Sequence, residues 1–451
     1  MTPFDLAVVG GTVVSGTGRS RTNVYVSDGR VALVDEAVLG AAEIVDAGGL
    51  LVMPGMVDTH VHLMDPGDSS REDFPSGTGA AAANGVTSIV EHTHGHPVRK
   101  VTDLHDKLDH LRSRSRVDFG LAAHVWEDHL GDLEGLWAAG AAFFKIFTCT
   151  THGVPAIEGE TMTAVLTEMG RIGGNCLIHC EDETLTAEAE RRLRAEGRTD
   201  PALLIEWRNR PAEEVAVQAV AALARHASAR ATIAHVSTPE VAALVASARA
   251  SGADLVAEGC PQYFFLREDE VKVAGALRKF TPPARIRNER EQDAMWDLLR
   301  NGGFSHISTD HAPSTLAQKA AGSFWDVHFG LPGLDTTFRL LLTEAANARI
   351  RYEDVVALYS ENPARRYGLH PRKGHLGVGA DADIALVDPD RDWVIENSDV
   401  ISKAGWSPYA GRRGRGTVEA TYLRGAKVAE AGKPVDRFEG RFLPGEGFGP
   451  A

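Results

Sequence analysis

Side chains able to hold a metal recur at one kind of position in this 451-residue sequence, the ends of short apolar runs. His60 and His62 lie in Val57-Asp58-Thr59-His60-Val61-His62, just after Leu51-Val52-Met53-Pro54. Lys145 sits in Ala142-Phe143-Phe144-Lys145-Ile146-Phe147, and His179 ends Cys176-Leu177-Ile178-His179. His235 ends Ala231-Thr232-Ile233-Ala234-His235, and Asp310 closes His306-Ile307-Ser308-Thr309-Asp310. On a strand, a spacing of two puts His60 and His62 on one face, where both reach one ion. A lone His-x-His is more often a pair of core histidines; the company of His179, His235 and Asp310 favours ligation. Together with Lys145, these groups exceed the needs of one open zinc position. They suit two divalent metals sharing a hydroxide. Asp310 then has two roles open to it, as a ligand and as the catalytic base that takes the nucleophile's proton and returns it to a leaving amine.

Lys145 is flanked by Phe143, Phe144, Ile146 and Phe147. An ammonium in such surroundings is costly and its pKa falls. Either the side chain snorkels to the surface or pairs with a buried acid, or the neutral amine reacts with carbon dioxide. The carbamate would be an anionic ligand bridging both metals.

These residues need a frame that brings them together. Apolar runs of this length, separated by helix-like stretches, read as parallel strands. Polar groups at successive C-terminal strand ends are the active-site pattern of a (β/α)8 barrel. The predicted fold is α/β, with a TIM-like (β/α)8 metal-dependent hydrolase barrel over residues 55–370. A small β-sandwich-like domain is expected from both termini, residues 1–54 plus 371–451. Its signals are Leu6–Val9, Thr12–Val14, Asn23–Val26 and Val31–Val34 with glycine or aspartate at the turns, and Ala382–Val387 and Val418–Leu423 near the other end. Pro211–His226 and a segment from Pro239 read as helices, with Thr238 placed to cap the second. Gly411-Arg412-Arg413-Gly414-Arg415-Gly416 reads as a solvated loop and not as a phosphate cradle, because no strand–loop–helix pattern frames it.

The composition bounds the partners. A net charge of −15 argues against nucleic acid, which requires a basic footprint. Cys149, Cys176, Cys180 and Cys260 form no disulfide or paired-cysteine zinc pattern, and a reduced, cytoplasmic setting fits them. No basic-then-apolar leader opens the sequence, and no apolar run is long enough to span a bilayer, so no membrane partner is expected.

The chain resembles the amidohydrolase superfamily, and within it the cyclic amidohydrolases: allantoinases, hydantoinases or dihydropyrimidinases, and dihydroorotases. The resemblance spans nearly the whole sequence. It rests on Pro54-Gly55-Met56-Val57-Asp58-Thr59-His60-Val61-His62, Phe144-Lys145, His179-Cys180-Glu181, Ala234-His235-Val236-Ser237, Thr281-Pro282-Pro283-Ala284-Arg285, Thr309-Asp310-His311-Ala312-Pro313, Ser360-Glu361-Asn362-Pro363-Ala364 and Gly374–Asp383. It implies that His60, His62, Lys145 and Asp310 hold one metal, and that carboxylated Lys145, His179 and His235 hold the other. Zinc is the default ion, with cobalt or manganese as alternatives. The resemblance also implies a homo-oligomer, dimer or tetramer.

Departures from the family pattern bear on the ring that is cleaved. Dihydroorotase-like enzymes carry an arginine where this chain has Met64, and a partner asparagine that Glu91–Pro97 lacks. Hydantoinase-like enzymes carry a tyrosine where this chain has Thr150. Asp65-Pro66-Gly67, Thr148–Thr151 and Ser407-Pro408-Tyr409 are closer to allantoinases. The expected activity is therefore opening of a cyclic amide, imide or ureide, with an allantoinase-like enzyme favoured. Hydantoinase-like or dihydroorotase-like ring opening and a non-catalytic scaffold of the same fold are the alternatives; loss of ligands would mark a scaffold, and none is lost. Met64, Thr150, His152, Thr281 and Gly333 are the candidate substrate contacts. His92, His94 and His96 are either pocket or surface-loop residues, and Cys180 reads as a packed small residue.

Overall fold

Eight short strands follow one another through the middle of the chain, each an apolar run rich in β-branched and aromatic residues. They are β1 (Met56–Val61), β2 (Val86–Glu91), β3 (Asp118–Leu121 continuing in Ala123–His124), β4 (Phe144–Phe147), β5 (Asn175–His179), β6 (Arg230–Ile233), β7 (Leu255–Gly259) and β8 (His306–Ile307). The computed structural model describes residues 4–449. Every neighbouring pair from β1 to β8 is parallel. β3 divides where it changes partners: the Ala122 N–H donates to the Glu91 carbonyl, and the Ala123 N–H to that of Phe143. A parallel bridge between Val61 and His311, with the His62 N–H donating to the His311 carbonyl at 2.8 Å, closes the ring.

The strands are buried on both faces, which is why they read as continuous apolar runs and not as alternating ones. Helices cover their outer side. The predicted helix at Pro211 spans Arg210–Ala227, with the Asn209 side chain accepting from the Ala212 N–H. That at Pro239 runs to Ala250, and Thr238 caps it by accepting from the Val241 N–H. Both begin with proline in the first turn, where the missing N–H leaves no partner unmet.

Strands from both ends of the chain share one sheet. Leu51–Pro54 pairs in parallel with Thr12–Ser15 and antiparallel with Ile384–Val394, which continues to Arg413–Leu423, Ala426–Glu430 and Lys433–Pro434. A second, four-stranded sheet contains Phe4–Val9, Asn23–Ser27, Arg30–Asp35 and Ala41–Asp46. Leu6, Val8, Val24 and Val26 from the N-terminal side and Ile384, Leu386 and Tyr422 from the C-terminal side fill one core.

One stretch departs from the reading of the sequence, and two more reach from the C-terminal part to the barrel. Arg413–Gly416 opens a strand and is not a loop, because its backbone pairs with Asp392–Val394. Residues 401–406 leave the β-rich part for the barrel: the Ile401 N–H donates to Asp335, and the Trp406 indole donates to the Ser314 carbonyl. Residues 440–445 do the same, since the Leu443 N–H donates to the Phe119 carbonyl and the Gly445 N–H to that of Gly140. Among the described residues no helix is long and apolar enough to cross a membrane.

Candidate active site

The C-terminal ends of β1, β4, β5, β6 and β8 bring His60, His62, Lys145, His179, His235 and Asp310 into the wall of one cavity. His60 and His62 point the same way, as their spacing predicts. The Nε2 atoms of both lie 3.3 Å from Oδ1 of Asp310. Their Nδ1 atoms are already committed. That of His60 donates to Glu258 at 2.8 Å, and that of His62 to the His92 carbonyl at 2.6 Å. Burial pushes the His62 imidazolium down to about 3 and lowers that of His60, although Glu258 opposes the latter, so both rings are neutral. A neutral ring with its proton on Nδ1 presents a lone pair at Nε2. Two lone pairs and a carboxylate oxygen therefore converge with no proton between them. Separations near 3.3 Å are those of neighbouring ligands around a tetrahedral ion with bonds of about 2.0–2.1 Å.

The β5–β6 side repeats the arrangement. His179 Nε2 donates to Glu181 at 2.9 Å, which leaves the Nδ1 lone pair facing His235 Nε2 3.0 Å away. Burial lowers the pKa of His179 to about 4 and that of His235 well below its ordinary value. Between the two groups stands Lys145, 1% exposed, its Nζ without a hydrogen-bond partner. Burial brings its pKa down to about 8, against the opposing pull of Glu258 and Asp310. An amine depressed this far has a substantial neutral fraction near neutral pH. Asp310 is held up to about 6 by burial, with His60 and Lys145 opposing. His235 and Asp310 adopt φ of 38° and 50°, left-handed values rare for such residues and concentrated at functional sites.

An outer set of charges fixes these side chains, and the sequence reading did not single out its key members. Glu258, at the end of β7, accepts from His60 Nδ1 and from the His235 N–H. It follows the apolar Leu255-Val256-Ala257, so the strand-end pattern that marks the histidines and Asp310 marks it too. Asp58 accepts from the backbone of His60 and Thr309 and from the Tyr359 hydroxyl at 2.7 Å, tying β1 to the segment that carries Asp310. Glu181 accepts from Arg285 at 2.7 Å, Thr281 at 2.7 Å, Arg208 at 3.2 Å and His179. Burial alone would raise its pKa, but Arg208, His179 and Arg285 hold it far below the ordinary 4.5.

The cavity is narrow: only about 20 Å³ of it admits the centre of a water molecule. His152 and Thr281 line it together with His94, Phe147, Ala312, Phe329 and Gly330. Met64, Thr150 and Gly333 do not. Met64 is buried, at φ 56°, with its N–H on the Thr93 hydroxyl. The Thr150 hydroxyl is turned outward to Glu183 at 2.9 Å. Gly333 acts through a neighbour, donating its N–H to His311 Nδ1 at 3.0 Å. A β-carbon there would meet that of Thr309 at 2.9 Å, which accounts for the glycine. His96 is exposed outside the cavity, and Cys180 is a buried, packed thiol whose pKa burial raises. Apart from Lys145, no lysine or arginine lines the cavity among the described residues.

Comparison with known proteins agrees with this frame. The model of the amidohydrolase family matches residues 51–428. The allantoinase of Rubrobacter xylanophilus is 37% identical over 450 residues, covering 98% of each chain. The L-hydantoinase of Paenarthrobacter aurescens is 30% identical over 450 residues, covering 98% of this chain and 98% of its own. Among solved structures, the L-hydantoinase (dihydropyrimidinase) from Arthrobacter aurescens superposes with a TM-score of 0.92 at 29% identity, over 98% of this chain and 100% of its own. With more than three quarters of its length matched to the family and a relative of this similarity, the chain belongs to the amidohydrolase family.

Proposed function

We propose that the protein is a binuclear metal-dependent hydrolase that opens the amide C–N bond of a small, uncharged cyclic amide, imide or ureide, with an allantoinase-like ring first among them. The observation that carries this reading is the convergence of metal-ligating groups: Nε2 of His60 and of His62 on Asp310, and Nδ1 of His179 on Nε2 of His235, with an unpartnered Lys145 among them. Such a donor set fits cations. His60, His62 and Asp310 would hold one ion and His179 and His235 the other, with Lys145, carboxylated, bridging them. Zinc suits imidazole and carboxylate ligation. When bound, the metal pair supplies an activated water and polarises the scissile carbonyl.

The remaining work belongs to the chain. The Asp310 carboxylate, with a pKa near 6, accepts a proton from the attacking water and passes it to the departing ring nitrogen. Glu258 and the His92 carbonyl keep the ring protons of His60 and His62 on Nδ1. Phe147, Phe329 and Ala312 exclude water, and His152 and Thr281 offer polar contacts to a ring's carbonyl and N–H groups. With no free lysine or arginine in the wall, a carboxylate-bearing ring would be left with an unpaired buried anion. Thr150, turned to Glu183, cannot serve where hydantoinase-like enzymes place a tyrosine. A hydantoinase-like activity is the second reading, favoured by the structural likeness to L-hydantoinase. We also propose residues 1–54 and 371–451 as one domain and 55–370 as the other, a homo-oligomeric state, and a cytoplasmic setting that suits four free, buried cysteines.

The test compares kcat/KM for allantoin, hydantoins, dihydropyrimidines, cyclic imides and dihydroorotate under one metal condition. The expected order is allantoin or a related small ureide or imide first, hydantoins and dihydropyrimidines next, dihydroorotate last. A clear preference for dihydroorotate would overturn the argument. Full activity surviving complete chelation would overturn the metal centre itself.

A further inference from the structure

Beside the ligands assigned above stands a second group of imidazoles that the proposed reaction does not use. His92 follows β2 directly, His94 comes two residues later, and His124 ends β3. One ring nitrogen from each lies within 4.8 Å of those of the other two. His92 and His124 are 1% exposed, and His94 is partly buried. Both ring nitrogens of His92 and of His124, and Nδ1 of His94, are buried with no hydrogen-bond partner. Buried imidazole nitrogens are ordinarily hydrogen-bonded, and here five in one place are not. The nearby charged groups do not satisfy them. Glu91 is occupied by Lys107, the Thr93 hydroxyl and the Leu63 N–H.

We propose that His92, His94 and His124 form a third metal site, distinct from the binuclear centre, for a zinc-class divalent ion. Three neutral imidazoles without thiolate suit zinc, cobalt, nickel or copper and not magnesium or calcium. They leave a fourth position for water or a small anion. Neighbouring nitrogens on a tetrahedral zinc are about 3.3 Å apart, so modest ring rotations close the present separations.

The site has a clear structural role. Its ion would pin the segment whose His92 carbonyl orients His62 and whose Thr93 hydroxyl receives the Met64 N–H. It adjoins the binuclear centre through that carbonyl and through ring contacts of His92 with His60 and His62, at 4.6 and 4.3 Å between centroids, and of His94 with His62 at 4.2 Å. His92 also groups with His60 and His62, whereas His124 belongs to the third site only, which makes His124 the discriminating residue.

The experiment strips the full-length protein with chelator, reconstitutes it with Zn2+, counts bound zinc by elemental analysis and locates it by anomalous diffraction at the zinc edge. Three ions per chain are expected, one of them between His92, His94 and His124. His124→Asn and His94→Gln should each lose that ion and keep the other two. The loss in its affinity should exceed the roughly 10- to 100-fold that removal of an outer-shell partner costs. Thermal unfolding checks that each variant is folded. If His124→Asn fails to fold, the partly exposed His94→Gln and the wild-type anomalous map still decide. Absence of a zinc peak at the trio, or an unchanged count in the folded variants, overturns the third site. A peak at the trio without peaks at His60, His62, His179 and His235 would overturn the binuclear reading and leave this one standing.

Discussion

On the β5 side of the barrel mouth, both carboxylate oxygens of Glu181 are occupied, by Arg285, Arg208, Thr281 and His179. On the β2–β3 side, both ring nitrogens of His92 and of His124 have no partner. The two arcs are comparably buried, so solvent does not explain the contrast. A filled network of charges is fixed by folding alone and rigidifies the strand ends it joins. Buried ring nitrogens left without a partner carry a desolvation cost that a water or a bound ion would relieve. Lys145 lies between the arcs and shares the second property, since its Nζ is also unpartnered. The comparison therefore sorts the buried polar groups into those that are satisfied within the fold and those that are not.

The largest expected effect falls on Lys145. Lys145→Ala should lower kcat about 1,000-fold or more, equal to about 4 kcal/mol of barrier, with little change in folding. Short carboxylic acids in bicarbonate-free buffer should restore part of the loss by standing in for the carbamate. Mass or density evidence for an unmodified Lys145 in active, metal-loaded enzyme would contradict that role. A middling effect separates the arcs directly. Glu181→Gln leaves Arg208 and Arg285 short of a buried partner and should destabilise the metal-free protein by about 3 kcal/mol in denaturant unfolding. His124→Asn in the same metal-free state should cost less than about 1 kcal/mol, because no intramolecular bond is lost. Equal costs would erase the distinction between frame and ligand.

The smallest effect is in pH. The Glu181 carboxyl is depressed in the folded protein below its ordinary 4.5. Its stabilisation is therefore fully present above about pH 4.5 and is lost as pH falls below that value toward the folded pKa. Metal-free wild type should lose stability more steeply than Glu181→Gln on descending from about pH 4.5 to about pH 2.5. Parallel acid limbs in the two proteins would show that the network contributes no such term.

The residues gathered in the cavity wall were readable because they end, or in the case of Lys145 lie within, runs that are buried on both faces, a local signal that survives without knowledge of the partner strands. His235 and Asp310 illustrate this, since their unusual backbone leaves no mark in the sequence, yet the apolar runs before them do. Glu258 carried the same mark but was passed over, and its role depends on His60, 198 positions away. Thr150 was expected at the substrate from its spacing after Lys145, but the chain turns there and Glu183 draws the hydroxyl outward. The excursion of residues 440–445 to the barrel was not legible, because it is made by backbone bonds to Phe119 and Gly140 that no side-chain pattern announces.

The pairing of Leu51–Pro54 with Ile384–Val394 has a consequence for biosynthesis. At roughly 5–20 residues per second, the ribosome emits the first strand some 15 to 65 seconds before its antiparallel partner. All four residues of that first strand are buried in the finished molecule, so throughout the interval an apolar edge stands open to other chains. The N-terminal segment is thus open to non-native pairing during synthesis. Nascent chains arrested before residue 384 are expected to be cut readily by protease within residues 4–54, and chains released beyond residue 430 to resist.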